Sequence, residues 1–463
     1  MNQPLPMGSD GHPDFRANYG PSSLMSGAEG QARAQNRGDS DLLVFLAFSG
    51  GGKRSAAFAH GGLRGLREVA IAPAGRAPWT LLDDVDFISG VSGGSFTAAH
   101  YGLYREQHFE TFPREFLNRD IDVYLYRTYL YPWNWGWLVN RRVGSNDYMA
   151  EVYDRLLFHG ATFADLQRRG LPLISVNATD YVHGVAFPFL STSFNAICSD
   201  LNAFHVARAV AASAAFPFLF SPVTLDNHAA HCNGVRAPDG ISTEAGQDAG
   251  MARQAELARV ARSYANPEET RWIHLMDGGL ADNLGLRGLF NLMLALGDDH
   301  DIVRELARRT RRIVVLSVDG QAAVDQRLSQ QPSISGFRQI FNATYYTQVD
   351  AYNFETRILM TEAVQTIARR FARIRCEEAR PRNGGRCDDV TGSFIHVSLA
   401  DIPDREARVR LQSTATSASI PPTDIQDLVS YGERLVRDHP LIRRVATEAA
   451  ARLARQAERP ATR

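Results

Sequence analysis

Two glycine-rich turns restrict what this chain can fold into more than any other feature. The first, Ser49-Gly50-Gly51-Gly52-Lys53-Arg54, follows the apolar run Leu42–Phe48. The second, Gly90-Val91-Ser92-Gly93-Gly94-Ser95, follows the short run Val85–Ser89. An apolar run without alternation is the pattern of a parallel strand buried on both faces. After the first turn, Ala57, Leu63, Leu66 and Val69 approximate helical spacing, and after the second, Ser95–Tyr104 reads as a small-residue helix. Further strand-type runs are Leu171–Asp180, Trp272–Met276, Arg311–Gly320 and Phe394–Leu399. Helical patterns over 204–215 and 251–264 lie between them. Short apolar strands alternating with helices predict an α/β three-layer sandwich: a mostly parallel central sheet with helices on both faces.

The organisation along the chain follows from composition. Residues 1–40 are rich in Gly, Ser, Asn, Pro and Gln, which predicts a flexible N-terminal arm. Residues 41–320 carry the strand–helix alternation, with a polar insertion at about 224–270. Residues 321–463 read as a C-terminal helical extension packed on the 41–320 unit, ending in the Ala/Arg-rich helix 443–455. With 22% charged residues and a net charge of −1, nothing favours nucleic acid as a partner. Lys53 is the lone lysine beside 49 arginines, a bias that genome composition explains.

No stretch approaches the ~20 apolar residues that span a bilayer, and no charged-then-apolar leader opens the chain. Four cysteines allow three pairings. The short turn-forming loop between Cys376 and Cys387 favours that pair, with Cys198 and Cys232 left near loop-like sequence. Two disulfides imply an oxidising compartment, while a start without a leader suits either the cytoplasm or a form whose export signal lies outside this sequence. A cell-envelope, secreted or peripheral membrane location and a cytoplasmic one therefore both stay open, as does the oligomeric state. The segment Tyr129-Leu130-Tyr131-Pro132-Trp133-Asn134-Trp135-Gly136-Trp137-Leu138 suits either a lipid-facing surface or an aromatic subcore under a loop.

The turns also carry the chemistry. Gly90-Val91-Ser92-Gly93-Gly94 fits G-x-S-x-G, in which a sharp strand-to-helix turn exposes the serine oxygen above a sheet. Gly90 and Gly94 let the flanks of that turn approach closely. The Gly50–Gly52 run fails the phosphate-loop pattern, because Arg54 follows Lys53 and Ala47 stands where the first glycine is required. Its amides suit an oxyanion hole instead, with Lys53 and Arg54 adding positive potential. A third turn, Met276-Asp277-Gly278-Gly279, offers a carboxylate able to act as base to a hydroxyl.

These blocks resemble the patatin-like phospholipase family. The likeness rests on Gly50–Arg54, on Gly90–Gly94, on Asp277-Gly278-Gly279 with Asn283 and Gly285 after it, and on the Ala211–Val223 segment AASAAFPFLFSPV. It spans about residues 43–320 and departs at Ser55, where the family usually has glycine. The resemblance implies a Ser–Asp dyad that hydrolyses lipid acyl esters. Ser92 would be the nucleophile, Asp277 the base and the Gly50, Gly51 and Gly52 amides the oxyanion hole. It implies a phospholipid or other acyl-lipid substrate, contact with a membrane surface, and neither cofactor nor metal. Besides acyl transfer to an acceptor other than water, which uses the same residues, two alternatives remain. One is an esterase with a Ser-Asp-His triad, completed by His300, His396 or His439. The other is a lipid-binding protein without turnover.

Overall fold

A computed structural model describes residues 2–25, 41–75, 77–124, 144–217, 219–235, 249–295, 300–322, 332, 336–379, 389–414, 416 and 419–457. Its centre is an eight-stranded mixed sheet. The strands are β1 (Leu42–Phe48), β2 (Val85–Val91), β3 (Leu173–Asp180), β4 (Val185–Pro188), β5 (Val223–Asp226), β6 (Trp272–Met276), β7 (Arg312–Asp319) and β8 (Thr391–Ser398). They run in the order β8-β7-β1-β2-β3-β6-β5, with β4 paired to β3. Strands β8, β7, β1, β2 and β3 are mutually parallel. Strands β4 and β6 run antiparallel to β3, and β5 antiparallel to β6. Every residue of β1, β2 and β3 is buried: β1 as its unbroken apolar run requires, β2 and β3 with the polar residues Asp86, Ser89, Ser175, Asn177, Thr179 and Asp180 buried among the apolar ones.

The helices that matter to the site are α1 (Gly52–Glu68), α2 (Gly93–Tyr104), α3 (Val206–Ser213), α4 (Ala249–Ala265), α5 (Arg287–Ala295), α6 (Phe337–Ala379), α7 (Pro422–Arg437) and α8 (Pro440–Ala457). Strand periodicity places them on two faces. Val318 of β7 lies against Gly62 of α1. Gly392 of β8 pairs with Ile313 of β7 and lies against Val364 of α6. Residues 313 and 318 point to opposite sides of a strand, so α1 and α6 cover opposite faces of the sheet.

The expected N-terminal arm is corrected in part. Residues 3–4 pair with 199–200, and Tyr19 is fully buried with its hydroxyl accepting the Ile174 N–H at 2.7 Å. Asn18 bonds Asn195, the Ser199 carbonyl and the Leu201 N–H. Asn2 and Asn18 serve buried hydrogen bonds rather than solvent, while Gln3, Asp10, His12 and Asp14 stay exposed; residues 26–40 lie outside the described residues. The expected insertion begins within the sheet, since β5 pairs with β6, and only its later part forms helix α4.

Cys198 and Cys232 form a disulfide, joined by Leu5 and Phe15 in a small apolar cluster. Cys376 is also disulfide-bonded, and its expected partner Cys387 lies outside the described residues. The aromatic segment 129–138 lies outside them too. Among the described residues no helix is long and apolar enough to cross a membrane. Residues after 320 are built into the body. Helix α7 packs so closely on α1 that a Cβ on Gly61 or Gly65 would meet the backbone of α7, and one on Gly432 the carbonyl of Phe58.

Candidate active site

Strands β1 and β2 are parallel neighbours, so the turns that follow them leave the same edge of the sheet side by side. They touch: a Cβ on Gly93 would overlap the Gly52 carbonyl, and one on Gly94 the Phe48 carbonyl. These glycines are required by backbone packing. Ser92 joins β2 to α2 with φ 47° and ψ −118°, a conformation that costs a non-glycine residue roughly 1–3 kcal/mol. The surroundings hold it there. The Ser92 N–H donates to Ser213 Oγ at 2.8 Å, and the Ser213 hydroxyl donates to the Asn177 carbonyl at 2.6 Å. Ser213 ends α3, within the Ala211–Val223 block, and its part in holding the elbow was not legible from spacing.

Asp277 arrives from the other side. Strand β6 is antiparallel to β3 with Met276 opposite Thr179, while Val91 of β2 stands opposite Asn177. The end of β6 is thereby level with the end of β2. The Asp277 N–H is held by the Ala215 carbonyl at 3.0 Å, and its own carbonyl accepts Thr179 Oγ at 2.8 Å. A Cβ on Gly278 would collide with the Asn177 carbonyl, so that position admits no side chain.

The two side chains meet. Ser92 Oγ donates to Asp277 Oδ2 at 3.0 Å, and Asp277 Oδ1 accepts the Gly279 N–H at 2.8 Å. Among the described residues, no histidine is hydrogen-bonded to this carboxylate. His300 instead caps a helix and accepts the Ile302 N–H, His396 of β8 faces Ser317 of β7, and His439 accepts the Leu441 N–H. Burial pushes Asp277 up from 3.8 to about 6, against the Gly279 N–H and the Ser92 hydroxyl, which favour its ionised form.

Of the three glycines expected to present amides, Gly50 does not. Its N–H donates to the Asn283 carbonyl at 2.9 Å. Among the described residues, the N–H groups of Gly51, Gly52 and Gly93 have no acceptor in the chain. Gly51 and Gly52 adopt φ 140° and 62°, values that favour glycine.

Lys53 and Arg54 serve the scaffold. Lys53 Nζ donates to the Arg119 carbonyl and lies over the Phe116 ring at 5.4 Å. Burial lowers its pKa to about 8, opposed by Asp122 and Asp120. Arg54 Nε donates to the Gly320 carbonyl at 2.8 Å, and its terminal nitrogens donate to the Thr414 carbonyl and Thr416 Oγ1. Arg54 thus ties the first turn to the chain after 320. Helix α6 adds Tyr345, whose hydroxyl comes within 3.0 Å of the point where a Cβ on Gly279 would stand. Nothing in the local sequence marks Tyr345 as a neighbour of Asp277.

An α/β sandwich with a serine on a strained strand-to-helix elbow, bonded to a buried carboxylate, has the architecture of an acyl hydrolase. Residues 46–290, more than half of the chain, match the family model of the patatin-like phospholipases, and the chain belongs to that family. No curated protein matches it. Among solved structures it is similar to human GIVD cytosolic phospholipase A2, at 12% identity and a TM-score of 0.43, over 93% of this chain and 63% of that one. The same human enzyme in complex with methyl gamma-linolenyl fluorophosphonate gives 14% identity and a TM-score of 0.42, over 91% and 62%. The chain therefore spans less than two thirds of those chains.

Proposed function

We propose that this protein is a serine lipid acyl hydrolase of phospholipase A type, working through a Ser92–Asp277 dyad. The observation that carries the reading is the direct 3.0 Å hydrogen bond between Ser92 Oγ and Asp277 Oδ2. In the acylation step Ser92 Oγ attacks the ester carbonyl carbon while its proton passes to Asp277 Oδ2. The oxyanion that develops is met by the N–H groups of Gly51, Gly52 and Gly93, which have no other acceptor among the described residues. Asp277 then gives the proton to the leaving alcohol oxygen as the carbon–oxygen bond breaks, leaving acyl-Ser92. Water repeats the sequence, losing a proton to Asp277 as it attacks, and the proton returns to Ser92 as the fatty acid leaves. A carboxyl held at about 6 suits both transfers, since it is largely ionised at neutral pH yet basic enough to take a proton. Membership of the phospholipase family supports a phospholipid ester as substrate, and with it a working position at a membrane surface.

The test is fatty-acid release from mixed phospholipid vesicles, and hydrolysis of a soluble short-chain ester, by wild type, Ser92→Ala and Asp277→Asn. Both variants are expected to lose at least about a thousandfold in rate on both substrates. A folded Ser92→Ala chain that keeps wild-type turnover refutes the assignment.

A further inference from the structure

One side chain stands between the two halves of the site. Asn283 Oδ1 occupies the space that a Cβ on Gly50 would need, and lies 2.9 Å from where a Cβ on Gly279 would stand. It is therefore wedged between the turn that carries the amides and the turn that carries Asp277. The Asn283 carbonyl also holds the Gly50 N–H. What orients Asn283 comes from beyond residue 320. Its Nδ2 donates to Gln321 Oε1 at 2.5 Å. The same oxygen accepts Asn353 Nδ2, and Gln321 Nε2 donates to Asp350 Oδ1 at 2.5 Å. Asp350 and Asn353 both lie on α6.

The direction of this chain is set by its ends. An amide side chain has a donor end and an acceptor end, and its partners decide which way it points. An ionised Asp350 only accepts, so it selects the nitrogen end of Gln321. The oxygen end is then left for the two asparagine donors. With Asn283 Nδ2 fixed on Gln321, its oxygen is directed between Gly50 and Gly279. We propose that Asp350 and Gln321 are positioning residues: through Asn283 they set the separation between the glycine turn and the Asp277 turn, which makes helix α6 a working part of the active site.

This inference rests on the hydrolase reading, and the experiment separates the two. The full chain is assayed on p-nitrophenyl butyrate as wild type, Asp350→Ala, Asp350→Asn, Gln321→Ala and Gln321→Glu. Small displacements of reacting groups cost about tenfold to a hundredfold in rate. The expected result is a fall in kcat of about tenfold or more for Asp350→Ala and Gln321→Ala, with KM within about twofold. Asp350→Asn keeps an oxygen for Gln321 Nε2, and so is expected to stay within about twofold of wild type. Gln321→Glu keeps both asparagine bonds but faces Asp350 with a second acceptor, and is expected to fall with the alanine variants. It serves as the alternative should those not fold. Hydrogen exchange of the Gly50 N–H, which the Asn283 carbonyl holds, is expected to quicken in the impaired variants and to match wild type in Asp350→Asn. Unchanged kcat and unchanged exchange in folded Asp350→Ala and Gln321→Ala overturn the proposal. An inactive wild type refutes the hydrolase reading, and the exchange rates then still decide whether α6 braces the turn.

Discussion

Replacing Asp277 by Asn is expected to remove activity and make the protein more stable, and the structure sets the size of the gain. The carboxyl is 3% exposed, and burial raises it from 3.8 to about 6. Between those values the native chain retains a proton that the unfolded chain has released. Stability therefore falls as pH rises across this window, and the full penalty is present above about 6. At ~1.4 kcal/mol per pH unit the penalty reaches about 3 kcal/mol. The amide in the variant would carry no charge. Its oxygen would still accept the Gly279 N–H, and its nitrogen would donate to Ser92 Oγ, so both hydrogen bonds survive. The assay is denaturant unfolding of wild type and Asp277→Asn from pH 3.5 to 8. The two are expected to be close in stability below about pH 4, with a gap of up to about 3 kcal/mol opening by pH 7 in favour of the variant. In the same range, kcat/KM of wild type on a soluble ester is expected to fall about tenfold from pH 7 to pH 5 as the base is protonated. A variant no more stable than wild type at pH 8, or a gap that ignores pH, would refute burial as what sets Asp277.

Two further perturbations test the scaffold. His60, His108 and His100 are buried in a hydrogen-bonded row, at 2.9 Å and 3.0 Å. Burial holds His60 and His100 down to about 3, and His108 well below its ordinary value. The unfolded chain takes up these protons below about 6.5, so this contribution is complete above that pH and is lost on acidification. His60→Phe is expected to flatten the fall of unfolding free energy by about 1.4 kcal/mol per pH unit between pH 6 and 4; an unchanged slope excludes the cause. The Cys198–Cys232 bond closes a loop of sequence separation 34, so the double Ser variant is expected to lose about 3–4 kcal/mol, read by urea denaturation. A loss below about 1 kcal/mol means that the loop holds itself without the link.

What could be read from the chain was local. An apolar run followed by glycines marks a buried strand and a tight turn because both depend on neighbouring residues alone. The elbow at Ser92, the Gly51–Gly52 amides and the place of Asp277 at a strand end were legible for that reason. The 3.0 Å contact between Ser92 and Asp277 spans 185 residues, and depends on β6 entering antiparallel to β3 in one register. Sequence periodicity is blind to that register. The same limit hid Ser213 under the elbow, the Asn283 carbonyl that takes the Gly50 N–H, and the carbonyls that hold Lys53 and Arg54. It also made the polar N-terminus read as a loose arm. Whether an asparagine faces water or a buried carbonyl is decided by what the fold brings opposite it, and for Asn18 that is Asn195 and Ser199. The types of residue in the site were written in the chain, whereas their partners were chosen by tertiary packing.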